Sequence, residues 1–147
     1  MLKKTVIIIV VILIGIQFIR VEKKNPPVDE KLTLNTDSKV MDILKNSCYD
    51  CHSFETKWPT YSSIAPISFF VASHVNKGRK ALNFSEWANI EAKTKVNRLE
   101  RAVKTVNNEM MALPSYVSVH ENAKLSKEDK VTLTQWFEKE LIKIKTD

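Results

Sequence analysis

The chain has 147 residues, a formal net charge of +6, two cysteines and two glycines, which bounds it to one domain with a modest core. Glycine occurs only as Gly15 and Gly78, which excludes glycine-rich phosphate loops and glycine-turned β architectures. The charge is local: five of the 23 basic groups and one of the 17 acidic groups fall in residues 1–24. That leaves 18 against 16 over the rest, and no basic field that would favour nucleic acid.

Met1–Lys4 is a short basic head, and Thr5–Ile19 is apolar except for Gly15 and Gln17. The run ends in Gln17-Phe18-Ile19-Arg20 rather than in the small residues a signal peptidase needs, so it reads as an uncleaved anchor over residues 1–21 and not as a removed signal. It is short for a span, which needs about 20 residues; snorkelling of Lys4 and Arg20 would close the gap. Flanking charges nearly cancel and do not orient it. Residues 22–36 read as a tether, because Pro26 and Pro27 stop a helix from running through them.

Residues 37–147 then form the soluble domain. Val40, Met41, Ile43 and Leu44 predict a helix over about Ser38–Asn46. A second helix is expected from Ser85 as N-cap, carrying Trp87, Ile90, Val96, Leu99, Val103 and Val106. A third begins at Ser126-Lys-Glu-Asp129, a capping box with Asp in place of Glu, and carries Leu133, Trp136, Phe137, Leu141 and Ile144 on one stripe. No stretch alternates as a strand would, so the fold class expected is all-α.

The chemistry lies at Ser47-Cys48-Tyr49-Asp50-Cys51-His52-Ser53. Cys48-x-x-Cys51-His52 is the attachment pattern of a c-type haem. Two thiols three residues apart on a helical turn reach the two vinyl groups of one porphyrin, and the adjacent histidine falls under the iron. Covalent attachment also supplies a small domain with part of the core it lacks. Three other readings fare worse. A thioredoxin-like pair needs a βαβ setting, zinc needs further ligands where His74 and His120 stand singly, and a disulfide between residues three apart is geometrically poor.

Beyond the motif, the run Cys48–Ser68, followed by His74-Val-Asn-Lys-Gly-Arg-Lys-Ala-Leu-Asn-Phe-Ser-Glu-Trp87, resembles the bacterial haem-binding domain family, small CxxCH proteins common in Bacteroidetes. Met111-Ala-Leu-Pro-Ser-Tyr116 is similar to that family's Met-Pro-Leu-Pro-Ser-Tyr segment, with Ala112 where the family has proline and an additional Met110 before it. The resemblance covers roughly residues 38–140. It implies one haem c per chain, held by Cys48, Cys51 and His52, and it favours Met111 as the second iron ligand over Met110, His74 and His120. His/Met ligation suits electron transfer.

Tyr49, Trp58, Tyr61, Phe69, Phe70, Trp87 and Tyr116 are candidates to line the haem pocket, and Arg79 and Lys80 are candidates to pair with its propionates. No nucleophile, base and orienting acid are visible, so the chain is expected not to be an enzyme. The full expectation is a cytochrome c-like helical domain that transfers one electron to or from a redox protein. Since haem c is attached on the exported side, it would sit at the outer, periplasmic face of a bacterial inner membrane, held by a single-pass anchor. The rival functions are a haem-based sensor or ligand-binding module and a haem peroxidase.

Overall fold

The computed structural model describes residues 1–146. Among them are seven α-helices joined by short 3-10 turns and loops, with no strand, so the expected all-α class holds. In chain order the helices are α1 (Leu2–Gly15), α2 (Ser38–Ser47), α3 (Tyr49–His52), α4 (Ile67–Ala81), α5 (Ala92–Asn107), α6 (Pro114–Val117) and α7 (Lys127–Thr146).

The membrane anchor expected over residues 1–21 is corrected: no helix among the described residues is long and apolar enough to cross a membrane. Helix α1 has 14 residues, or about 21 Å at about 1.5 Å per residue, against a hydrocarbon core of about 30 Å. Beyond Gly15 it gives way to a 3-10 turn. Within that turn, over Ile16–Phe18, the Gln17 side chain donates to the carbonyls of Leu13 and Ala65, both at 2.9 Å, and accepts from the Ala65 N–H at 3.0 Å. The end of the apolar run is thereby tied to the domain. With the anchor falls the single-pass location at the inner membrane that rested on it.

Residues 22–36 contain no helix, in keeping with Pro26 and Pro27; most are exposed, and hydrogen bonds pin them to the domain as a strap. Leu34 is buried and its N–H donates to the Phe84 carbonyl at 2.8 Å, while the Ala88 N–H donates to Leu32 at 2.9 Å.

Helix α2 is capped by Asp37, whose side chain accepts from the Val40 N–H at 3.0 Å. It buries Val40, Ile43 and Leu44 and delivers the chain directly into α3. Helix α7 starts at the expected capping box: Ser126 Oγ accepts from the Asp129 N–H at 3.0 Å, and the Asp129 carboxylate accepts from the Ser126 N–H at 2.9 Å. Leu133, Trp136 and Phe137 of its stripe are buried. Helix α5 packs most extensively on α7, and α2 also meets α7. Leu44, Leu99 and Leu133, one from each of these helices, are wholly inaccessible at the centre of the core.

Two expectations change. The helix expected from Ser85 is divided: a 3-10 turn occupies Phe84–Asn89, with Glu86 outside helical geometry, and α5 begins only at Ala92. The cap is Asn83, whose Oδ1 accepts from the Ser85 N–H at 3.0 Å; Ser85 is instead buried, and its Oγ accepts from the Phe54 N–H at 2.9 Å. Helix α4 is an element the periodicity did not mark. Its buried face is Ser68, Ala72 and Val75, small side chains that leave no large apolar stripe, while Ile67 and Phe70 face outward.

Candidate functional site

Helix α3 is one turn, too short to persist alone; it is held by what surrounds it. The N–H groups of Cys51 and His52 both donate to the Cys48 carbonyl, at 3.1 and 2.9 Å. Ser53 Oγ donates back to the Tyr49 carbonyl at 2.8 Å, and Thr56 Oγ1 to the Asp50 carbonyl at 2.8 Å. Tyr49 is buried and stacks on Phe84 with ring centroids 5.5 Å apart. On the other side α4 presses its backbone onto α3 at Gly78, where a Cβ would lie 2.3 Å from the Cys51 carbonyl oxygen. Only glycine allows that approach.

Cys48, Cys51 and His52 open onto one cavity of about 400 Å³, within the range of ligand and cofactor sites. Its wall is chiefly apolar, with Leu82, Phe84, Ala102, Val106 and Phe137 among its lining residues. Burial pushes the Cys48 thiol up to about 12 and the Cys51 thiol up to about 11, the latter helped by the Asp50 charge. Both are therefore protonated thiols at neutral pH, unlike the low-pKa cysteines of redox pairs. Among the described residues no three His, Cys, Asp or Glu side chains are placed to hold a metal ion, so zinc gains no support.

His52 Nδ1 lies 2.9 Å from the Leu82 carbonyl. A carbonyl only accepts, so Nδ1 carries the proton and the neutral ring leaves a lone pair on Nε2. Burial holds the imidazole below its ordinary value, against the opposing pull of the Leu82 and Gly78 carbonyls. A neutral imidazole with one nitrogen tied to a backbone carbonyl is the arrangement of a metal-ligating histidine.

Met111 reaches the same cavity, whereas Met110 is exposed. The separation follows from how α5 ends. Glu109 has φ +58°, its N–H donates to the Val106 carbonyl at 3.1 Å, and the Met110 N–H donates to Thr105 at 2.9 Å. That is a Schellman stop with glutamate in the left-handed position usually filled by glycine, and it reverses the chain so that Met110 is left outside and Met111 returns to the cavity. Tyr116, from α6, closes the loop: its hydroxyl donates to Asp50 at 2.5 Å and its ring stacks on His120, centroids 4.3 Å apart.

The remaining candidates divide. His74 lines the cavity, its Nδ1 bonded to the Phe70 carbonyl at 2.8 Å. His120 is engaged elsewhere, with Nε2 2.7 Å from the Tyr61 hydroxyl. Of the expected pocket aromatics only Tyr116 lines the cavity, joined by Phe84 and Phe137. Trp58 instead donates from its indole N–H to Asn25 at 3.2 Å. Arg79 and Lys80 are absent from the cavity wall. The Arg79 guanidinium is spent on the carbonyls of Ser53 and Lys24 and on Asn25 and Thr56, riveting the strap to the segment after the motif. The basic residues on the wall are Lys77, Arg98 and Arg101, which sequence reasoning missed. Their signal, two arginines three apart on α5 beside the small Ala102, became readable only once the cavity was located.

An all-helical domain that turns Cys-x-x-Cys-His onto the wall of an apolar cavity, with an oriented neutral histidine, defines a haem-binding protein. The chain belongs to the haem-binding domain family, whose model matches residues 11–139. No curated protein and no solved structure matches it.

Proposed function

We propose that the chain binds one haem c through Cys48 and Cys51, with His52 and Met111 on the iron, and that it passes single electrons to and from a redox protein without catalysing a reaction of its own. The observation that carries this reading is the convergence of Cys48, Cys51, His52 and Met111 on one cavity, with His52 Nδ1 committed to Leu82. Bound there, haem supplies an iron that cycles between ferrous and ferric.

The protein's own contributions follow from its residues. Cys48 and Cys51 would hold the haem by thioether bonds to its two vinyl groups, an addition of S–H across C=C that expels no group and leaves the oxidation state unchanged. The Leu82 carbonyl holds the His52 tautomer that offers Nε2. The Schellman stop and the Tyr116–Asp50 hydrogen bond hold the Met111 loop against α3. The thioether favours the ferrous state and raises the potential. The cytochrome c-like character lies in this order of parts, with a methionine loop between α5 and the final helix.

Haem staining of a denatured gel tests attachment: the wild type should stain and the variant Cys48→Ala with Cys51→Ala should not; staining of that variant would sink the reading. For the second ligand, Met111→Ala should remove the weak red charge-transfer band of the ferric protein and lower its potential, while Met110→Ala should change neither. His74 shares the cavity wall, so a band lost in Met111→Ala and kept in His74→Ala is the discriminating pair. Tight carbon monoxide binding by the ferrous wild type would instead support the sensor or ligand-binding reading.

A further inference from the structure

The cavity's charge is unbalanced. Three basic side chains line it, Lys77, Arg98 and Arg101, against the single acid Asp50. That acid is already occupied by the Tyr116 hydroxyl at 2.5 Å and by the Lys57 N–H at 2.8 Å. Arg98 and Arg101 lie three residues apart on one face of α5, which continues along the cavity through Ala102 and Thr105. Arg98 is half-buried and stands between this cavity and a more polar recess lined by Phe54, Asn83 and Glu91.

Among the described residues neither guanidinium has an acceptor. The ion pairs there use Lys24, Lys39, Lys130 and Lys145, and the arginine with committed donors is Arg79. Each guanidinium carries five N–H donors in a fixed fork that matches a carboxylate. Arg98 offers its fork half-buried and Arg101 offers its fork at the exposed rim of a chiefly apolar wall, both open to a carboxylate.

We propose that Arg98 and Arg101 bind the two propionate carboxylates of the haem, forming the anion end of the cavity whose thiol end is Cys48 and Cys51. The assignment rests on the haem reading above. A porphyrin fastened through its vinyl substituents presents its carboxylates from the opposite edge, so those charges need cations other than any near the attachment motif. Arg79, beside that motif, has four of its five N–H donors already committed to the strap and the segment after the motif. Lys77 is exposed, as Arg101 is, but it offers a hydrated point charge rather than a planar fork.

The test uses the holoprotein: wild type, Arg98→Gln with Arg101→Gln, the same pair changed to Lys, and Lys77→Gln. Haem staining establishes attachment, and the pH dependence of the reduction potential reports propionate ionisation. Loss of both arginines should lower the propionate acid dissociation constant by about tenfold or more, the lysine pair should fall between that variant and wild type, and Lys77→Gln should follow wild type. If the double glutamine variant gives no holoprotein, the two single variants carry the measurement, each shifting the profile in the same direction. A double variant that titrates like wild type, or a shift produced by Lys77→Gln instead, overturns the assignment and leaves the haem reading intact. A wild-type protein that does not stain for haem overturns both.

Discussion

Gly78 joins the two halves of the site. Its missing Cβ lets α4 meet α3 backbone to backbone at Cys51, and the same stretch of chain supplies the Leu82 carbonyl that orients His52. Gly78→Ala would place a methyl 2.3 Å from the Cys51 carbonyl oxygen, and neither backbone can yield cheaply. Overpacking of this kind costs about 1–3 kcal/mol, more than the gain of about 1 kcal/mol in helix propensity. Urea unfolding of the apoprotein should therefore show a net loss of stability, and haem staining should weaken as Cys51 is displaced. Gly15→Ala is the contrasting variant: nothing lies within 4 Å of its would-be Cβ, so unfolding should be unaffected. Cys48, Cys51 and His52 were legible as a unit because their chemistry is local. The expectation of Met111 over Met110 came from a resemblance, and what the structure adds is that Met111 lines the cavity after the left-handed turn at Glu109 while Met110 is exposed.

Among the elements, α7 shows how a cap ties stability to pH. The Asp129 carboxyl is held below its ordinary value of 3.8, chiefly by the hydrogen bonds from Ser126. Because its folded value is depressed, the stability it contributes is complete above the ordinary value and is lost as pH falls through the folded one. Ser126→Ala should cost about 1 kcal/mol at neutral pH, and chemical unfolding of wild type and variant should converge in part as pH drops below that range. A gap independent of pH would mean that the carboxylate plays no part in the cap. The capping box was readable because its residues are three apart. Helix α4 was not, because its buried face is made of small residues whose burial depends on a partner distant in sequence.

Over the whole molecule, α1 stands apart. None of its residues is buried, and Ile7 to Ile14 are all exposed, an apolar surface of unusual extent. Its hold on the domain runs through Gln17 and Ala65, beyond the helix proper. Removal of residues 2–15 should therefore change the unfolding free energy of the domain by no more than about 0.5 kcal/mol, while self-association in light scattering should fall. A large drop in the melting temperature would show that α1 packs on the domain after all. Leu44, Leu99 and Leu133, from α2, α5 and α7, carry the core instead.

The sequence by itself determined the haem-attachment motif, the helical class, and the starts of α2 and α7. Each depends on residues within a turn or two of one another, where spacing alone sets geometry. Only the tertiary structure decided how the end of the apolar N-terminal run joins the domain, because the hydrogen bonds that tie Gln17 down are made with Ala65, far along the chain. Only it separated Arg79, consumed by the strap, from Arg98 and Arg101 on the cavity wall. A guanidinium's role depends on which acceptors the folded chain brings within reach, and those lie tens of residues away.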